Sequence, residues 1–380
     1  MTTLLNERIG FEIELLAPAG AHRGTLAERI ARDRGGQVER FFHTDSEPSL
    51  VPGMGHFWHL TPGFTVHDGQ GAPLASLVDD ITIVADLRLD VPRATGYQAP
   101  GSRAGADEDS YRILSDDGRL LRLVADHTHP DTPFTRVLDD VGVLFGTRVE
   151  TIDTVRRLRD RAGASIAMAT SLARGRERPC EIVTTPLSRD HEATLETLLR
   201  PARELGFTVP VEAAVHLHFD GAPYRSVAAF SNLVRLFGHW REALRAALGT
   251  NPACTRLQPL PPALVDLVDQ PDAVGLAEAE HWGGLQTAAK ATGLTKYFDV
   301  NLTALLTDAP QRDTVEVRIL PGSLHAADIV HRAAFVEALL VRCLDPRPFP
   351  QPTGADPAGQ AAELAALVGI IPTNERSTRR

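Results

Sequence analysis

The chain has 380 residues, a net charge of −10, 43% hydrophobic residues and 23% charged residues, which is typical of a water-soluble globular protein. The negative charge disfavours nucleic acid as the main partner. The three cysteines, Cys180, Cys254 and Cys343, have no CxxC spacing, so the sequence predicts neither a zinc knuckle nor a disulfide framework. We find no signal-peptide pattern and no apolar run of membrane-spanning length, and we expect a cytoplasmic protein without a membrane partner.

Hydrophobic spacing and turn residues predict an alternation of strands and helices along the chain. Strands are predicted over residues 9–16, 71–82, 118–128, 164–170, 181–185, 207–219, 297–306 and 314–320. Helices are predicted over residues 25–34, 149–161, 190–205, 226–248, 275–291 and 326–343. Residues 41–75 are predicted to be loop-rich, and the polar residues 92–110 are predicted to form a loop or flap.

The phosphate-binding patterns GxGxxG and GxxxxGK[ST] are both absent from the sequence. The polar residues of interest lie inside the predicted strands, whereas a doubly wound sheet binds its ligands at the carboxyl ends of its strands. The sequence therefore predicts an α+β fold with a curved, mainly antiparallel sheet flanked by helices.

Three predicted strands carry metal-type or anion-type ligands two residues apart. These pairs are Glu12 and Glu14, His216 and His218, and Glu316 and Arg318. Because side chains at positions i and i+2 of a strand point to the same face, each pair is expected to project from one side of a sheet. Carboxylates with a histidine suit Mg²⁺ or Mn²⁺, and an arginine suits an anion. This pattern is typical of a sheet that holds a metal nucleotide.

Each motif also has a simpler interpretation. The first pair fits an ordinary strand with one solvated face, and the last pair fits a cross-strand ion pair. The histidine pair fits a buried pair, a surface strand, or the opening metal motif of amidohydrolase barrels, although that motif lies near the start of its fold and this one lies past mid-chain. Asp45 and Glu47 fit a solvated loop or part of an acceptor site.

Taken in order, the motifs resemble a known superfamily. The segments are GFEIE (10–14), CEIVTTPL (180–187), VHLHFDG (215–221), YFDVNLTAL (297–305) and TVEVRILPGSLHAADIV (314–330). This ordered set is similar to the glutamine synthetase and glutamate–cysteine ligase superfamily, and most of all to its amidoligase branch. Residues 50–135 depart from the pattern.

The resemblance implies one amidoligase-like catalytic domain over residues 1–345. Its core is expected to be glutamine-synthetase-like, with an open funnel of antiparallel strands and a loop-rich variable insertion at about 41–135. Residues 346–380 are expected to form a proline-rich linker and a disordered tail.

The activity that the resemblance implies is that of an ATP- and Mg²⁺-dependent (or Mn²⁺-dependent) carboxylate–amine ligase. Such an enzyme makes an amide, of peptide or isopeptide type, through an acyl phosphate, and its partners are small-molecule or peptide acids and amines. The alternatives are a phosphagen-type guanidino kinase on the same fold and a catalytically inactive nucleotide-binding or ligand-binding protein. Oligomeric state and substrate identity do not follow from the sequence.

The resemblance also implies roles for individual metal ligands. Glu14 and Glu181 correspond to ligands of a metal near the acceptor carboxylate. Glu12, His216 and Glu316 correspond to ligands of a metal that bridges the β- and γ-phosphates of ATP.

The same resemblance implies the nucleotide-binding and catalytic residues. His218 corresponds to a nucleotide-phosphate contact, and Arg256 and Lys296 are further candidates for nucleotide binding. Arg318 corresponds to an anchor for a substrate carboxylate or for the transferring phosphoryl group. Arg318, Glu316 and Arg256 are the predicted catalytic residues.

Overall fold

The computed structural model describes residues 5–48, 56–83, 110–172, 176–254, 257–269, 278–308, 310 and 312–370. Its strands are β1 (Ile9–Leu16), β2 (Gln37–Pro48), β3 (His56–His67), β4 (Pro73–Val78), β5 (Tyr111–Ser115), β6 (Glu150–Ile152), β7 (Val155–Arg159), β8 (Ser165–Ser171), β9 (Pro179–Thr184), β10 (Ala214–Asp220), β11 (Val300–Asn301) and β12 (Thr314–Pro321). Its helices are α1 (Arg23–Asp33), α2 (Gly118–His127), α3 (Asp139–Phe145), α4 (His191–Glu204), α5 (Val227–His239), α6 (Arg241–Leu248), α7 (Pro262–Asp269), α8 (Glu278–Lys290), α9 (Ala326–Cys343) and α10 (Pro357–Val368). None of the helices in these ranges combines the length and the apolar character needed to cross a lipid bilayer.

The chain forms two compact units. The first unit comprises Met1–Glu14, Thr184–Arg203 and Val209–Arg380, and the second comprises Leu15–Val183 and Glu204–Thr208. Each unit contains antiparallel strand pairs and helices, which confirms the α+β class predicted from the sequence.

The sheet of the first unit has the strand order β11-β12-β10-β1, and all neighbours are antiparallel. Apolar side chains lie at alternate positions of its strands. Phe11, Leu217 and Val317, for example, are fully buried. Ser226 begins α5 by accepting a hydrogen bond from the backbone of Ala229. Helices α5 and α9 contact each other, and α6 contacts β12. The apolar faces of the strands therefore belong to a helix-covered core, which leaves alternate positions for polar side chains.

The second unit has the strand order β9-β4-β3-β5-β8-β7-β6, and β2 pairs with β3. Leu60 of β3 and Ile113 of β5 pack in one buried cluster with Leu121 and Val124 of α2. The pairs β3–β4, β3–β5, β5–β8 and β7–β8 are antiparallel. An open antiparallel sheet with helices packed against it is thus present in this unit too.

The prediction of a loop-rich segment over residues 41–75 is wrong for residues 41–48 and 56–75, and residues 49–55 lie outside the described residues. Strands β2 and β3 pair there from Gln37 opposite His67 to Pro48 opposite His56, and β4 follows. The prolines and glycines suggested loops, but Pro62 lies inside a strand pair and Gly63 lies under the ring of Phe41. This long pair of strands therefore contains proline and glycine residues, which usually interrupt a strand.

Two predicted elements have the opposite secondary structure. Residues 118–128 form helix α2 rather than a strand, since Asp117 accepts a hydrogen bond from the backbone of Arg119 and so caps the helix. Residues 149–161 form the hairpin β6–β7 rather than a helix, with Ile152 opposite Val155. Asp153 has a φ of 52°, which fits a tight two-residue hairpin turn.

Other predicted boundaries also change. The helix predicted over residues 226–248 is divided into α5 and α6 at Trp240, and the strands predicted over 207–219 and 297–306 shorten to β10 and β11. Residues 357–368 of the predicted linker form α10, which Asp356 begins by accepting two backbone hydrogen bonds. The tail predicted over residues 372–380 lies outside the described residues.

Candidate active site

Four strands of the first unit place polar side chains opposite one another. Glu12 of β1 lies opposite His216 of β10, and His218 of β10 lies opposite Glu316 of β12. Asn301 of β11 also lies opposite Glu316. Because directly opposite residues of antiparallel strands share a face, this register brings the three predicted motifs onto one side of the sheet. The pairing of β10 with β12 shifts between Val215 and Leu217, so that a bulge lies at His216.

His216 lies among three carboxylates. Its Nδ1 atom is 3.2 Å from Oε2 of Glu12 and 3.6 Å from Oε1 of Glu316. Its Nε2 atom is 3.3 Å from Oε1 of Glu14. Glu14 also accepts a hydrogen bond of 2.8 Å from the backbone N–H of Ala214. The strands therefore gather the two glutamates of β1 and the glutamate of β12 around one imidazole ring.

His218 completes a second grouping on the same face. Its Nε2 atom is 3.0 Å from Oε1 of Glu12, yet this buried nitrogen has no hydrogen bond with acceptable geometry in the described part of the chain. One ligand atom each from Glu12, His218 and Glu316 lies within 4.8 Å of the others. Two carboxylates and an imidazole nitrogen so close together fit a hard divalent cation such as Mg²⁺ or Mn²⁺.

Burial and neighbouring charges shift the pKa values of this cluster. Burial raises the pKa of Glu12, but the close approach of His216 and His218 outweighs burial and holds that pKa well below its ordinary value. Burial likewise raises the pKa of Glu316, yet the charge of Arg318 brings a net lowering. Burial and the charge of Arg318 together lower the pKa of His216. Both glutamates are therefore ionised and His216 is neutral near pH 7. Burial lowers the pKa of His218, but its interaction with Glu12 outweighs burial and raises that pKa, so a metal ion at His218 competes with a proton.

Arg318 lies next to Glu316 on the same face. Its Nη1 atom donates to Oε1 of Glu316, and its buried Nε has no hydrogen-bond partner within the described ranges. Burial lowers the pKa of the Arg318 guanidinium, but the charge of Glu316 outweighs it and raises that pKa. A permanently charged guanidinium with an unused N–H donor suits the binding of an anion at this position.

Asn301 fixes the orientation of Glu316 from the neighbouring strand. Its Nδ2 atom donates to Oε2 of Glu316 over 2.8 Å. Its Oδ1 atom accepts hydrogen bonds from the backbone N–H and the hydroxyl of Thr303, at 3.1 and 2.6 Å. Because two donors face Oδ1, the orientation of the amide is fixed, and its nitrogen points toward Glu316. Asn301 is therefore a positioning residue, whose signal in the sequence was its place in the strand before the Glu316 motif.

We expect Asn301→Ala to lower the free energy of unfolding by about 1–3 kcal/mol, because it removes a hydrogen bond to a buried carboxylate. Chemical denaturation of the purified variant measures this change. Asn251→Ala is the matched control, since Asn251 is half-buried and its Oδ1 accepts a local hydrogen bond from the backbone N–H of Ala253. Equal stability of both variants would contradict the assignment.

A second set of charges supports the backbone of Arg318. The N–H of Arg318 donates to the carbonyl of Asp299 over 3.0 Å. The buried carboxylate of Asp299 is 2.6 Å from Nε of Arg241 and 3.0 Å from Nη1 of Arg245, both on α6. These ion pairs join α6 to the segment that pairs with β12. Sequence analysis missed them, because the partners lie more than fifty residues apart and share no motif.

The remaining predicted residues are distributed over several elements of the chain. Glu181 lies on β9, and Asp45 and Glu47 lie on β2. Lys296 stacks over the ring of Tyr297, 5.4 Å from its centre, and Arg256 lies outside the described residues. The roles assigned to these residues stay predictions.

Arg312 also belongs to the site, although no predicted motif includes it. Its Nη1 atom lies 3.1 Å from Oε1 of Glu12, although the two residues are 300 positions apart. Arg312 is in phase with Glu316 and Arg318, but it lies two residues before β12 begins, in a segment that was predicted to connect two strands. The site thus combines acidic side chains, two imidazoles and two guanidinium groups. Such a set can hold a divalent cation together with an anionic ligand.

Comparison with known proteins gives a family for the chain. No curated protein matches the sequence. Residues 5–340 match the family model described as "Putative amidoligase enzyme", and this range includes all the strands of the site and most of the chain. That description is of a ligase, in agreement with the resemblance seen in the ordered motifs. The chain therefore belongs to this amidoligase family.

Proposed function

We propose that this protein is an ATP- and Mg²⁺-dependent carboxylate–amine ligase with a glutamine-synthetase-like active site. The observation that carries the proposal is the close grouping of Glu12, His218 and Glu316, with the guanidinium of Arg318 beside it. In the reaction, a carboxylate oxygen of the acid attacks the γ-phosphorus of ATP and ADP leaves. The amine nitrogen then attacks the acyl carbon, loses a proton and displaces phosphate.

The residues of the site fit the metal that this chemistry needs. Glu12, His218 and Glu316 would hold the ion, since their donor atoms are close together and the carboxylates are ionised. When bound, Mg²⁺ supplies neutralisation of the triphosphate charge. Glu14 and the neutral ring of His216 lie next to this group and extend the polar face along β1 and β10.

The positive charge of Arg318 matches the anionic substrates. Arg318 keeps a fixed position through its own backbone and through Glu316, so that its free Nε can face an anion without reorganisation. A fixed cation of this kind stabilises charge that develops on the transferring phosphoryl group or on the acid. Amide formation through an acyl phosphate requires this neutralisation, because two anions must approach each other.

The kinase alternative finds less support from the side chains. All three cysteines of the chain are buried, and burial raises the pKa of the Cys180 and Cys343 thiols. A buried neutral thiol is a poor nucleophile or charge partner for a guanidine substrate.

We expect Mg·ATP to raise the melting temperature of the protein, because a ligand that binds only the folded state stabilises it. At a ligand concentration of about 100 times Kd, the gain is about 2.7 kcal/mol. Thermal shift and titration calorimetry measure the effect, and the shift should decrease when EDTA replaces Mg²⁺. Absence of nucleotide binding with either Mg²⁺ or Mn²⁺ would overturn the proposal.

Hydroxylamine gives a test of the intermediate that needs no knowledge of the natural amine. Incubation with Mg·ATP, hydroxylamine and a panel of amino acids and peptides should yield a hydroxamate and ADP in equal amounts for an accepted acid. ATP binding without any hydroxamate across the panel would favour an inactive binding protein.

A further inference from the structure

Arg312 differs from the other charged residues of the active site. About two-thirds (67%) of its side chain is exposed, whereas the exposed fractions of Glu12 and Arg318 are 12% and 19%. Its ion pair with Glu12 is the one hydrogen-bonding or ionic contact of its guanidinium within the described ranges. Because little packing holds this side chain, it can leave Glu12 at small cost.

The oxygen that Arg312 contacts is also the one that His218 approaches. Oε1 of Glu12 is 3.1 Å from Nη1 of Arg312 and 3.0 Å from Nε2 of His218. Glu12 and His218 belong to the group that fits a divalent cation. A dication at this group and the guanidinium of Arg312 would repel each other, since both lie within a few ångströms of one carboxylate. Arg312 and the metal therefore compete for Glu12.

A displaced guanidinium stays close to the metal site, because Arg312 lies directly before β12 and its side chain reaches Glu12. In a site that binds a metal nucleotide, the anions next to the metal are phosphate oxygens. An arginine binds such oxygens through two parallel N–H donors.

We propose that Arg312 occupies Glu12 in the empty site and moves to the terminal phosphoryl group of ATP when the metal nucleotide binds. This inference rests on the proposed function, because it requires a metal nucleotide at Glu12. It gives Arg312 two opposite effects, since the residue opposes the metal alone and favours the metal with a triphosphate.

Arg312→Gln separates these effects by binding measurements alone. Without nucleotide, the variant should bind Mn²⁺ about fivefold more tightly than the wild type, because a competing exposed ion pair is removed. With Mg²⁺, its affinity for ATP should fall about tenfold, because a charge-assisted contact is lost. Its affinity for ADP should change by less than about twofold, because ADP lacks the terminal group that the arginine contacts. Titration calorimetry measures all three, with a non-hydrolysable ATP analogue if turnover occurs.

Arg347→Gln is the matched control. Arg347 is also an exposed arginine, and it pairs with the carboxylate of Asp345. Its substitution by glutamine removes the same charge from the same unit. This control should bind Mn²⁺, ADP and ATP as the wild type does. Arg312→Lys should recover part of the ATP affinity, since it restores the charge without the two parallel donors.

The outcomes distinguish the inference from the proposed function. If the wild type binds neither nucleotide with Mg²⁺ or Mn²⁺, the proposed function fails. If the wild type binds Mg·ATP but Arg312→Gln loses ATP and ADP affinity equally or not at all, the inference about Arg312 is wrong and the proposed function stands.

Discussion

Glu12→Gln is expected to weaken the binding of Mg·ATP by at least about 10²-fold, since loss of even an indirect metal partner typically costs 10- to 100-fold in metal affinity. Glu12 is shared by three other residues of the site, because its two oxygens approach His216, His218 and Arg312. Glutamine keeps the length of the side chain but removes the charge. The metal would then lose an anionic ligand that burial keeps away from water.

Titration calorimetry with Mg·ATP tests this expectation, after circular dichroism has shown that the variant is folded. Glu363→Gln serves as the control, because Glu363 lies on α10 and its carboxylate accepts hydrogen bonds from the backbone N–H and the hydroxyl of Thr353. Added Mn²⁺ should restore little affinity, since the missing ligand is an oxygen anion for either ion. A Glu12→Gln variant that binds Mg·ATP as tightly as the wild type would place the metal elsewhere.

The part of the site that the sequence could predict depends on strand geometry. Alternation along a strand identifies a shared face without any knowledge of tertiary contacts, so Glu12, His216 and Glu316 could be placed on one face each. Whether these faces come together depends on the register of strand pairing. The structure places Glu12 opposite His216 and His218 opposite Glu316. The order of the motifs supplied that information only by resemblance.

Other parts of the molecule carry no such local signal. The contact of Arg312 with Glu12 depends on the path of the segment before β12. Residues 118–128 carry Leu121 and Val124 three positions apart, which suits a helix, but the short apolar run was also compatible with a strand. The β6–β7 hairpin depends on the left-handed conformation of Asp153. Tertiary packing decides such cases.

Substitution of Arg318 on β12 is expected to cause a different defect from substitution of Glu12. Arg318→Lys keeps the positive charge beside Glu316 but loses the planar group that offers Nε and Nη donors together. Glu316 keeps its hydrogen bond from Asn301, so the metal ligand stays oriented. We therefore expect Mg·ATP affinity to stay within about threefold of the wild type, because the interaction removed is made mainly with charge formed in the transition state.

The turnover rate of Arg318→Lys should fall although its affinity for Mg·ATP does not. We expect the rate of hydroxamate or ADP formation by Arg318→Lys to fall by about 10²-fold or more, as when a preorganised donor to a developing anion is removed. Arg347→Lys is the control, since Arg347 is exposed and pairs with Asp345, outside the motif of Glu316 and Arg318. The contrast between a binding defect for Glu12 and a rate defect for Arg318 separates metal binding from anion stabilisation on one sheet face. If Arg318→Lys turns over at the wild-type rate, the pair of Glu316 and Arg318 is an ordinary ion pair, and the anion-binding role belongs to another residue.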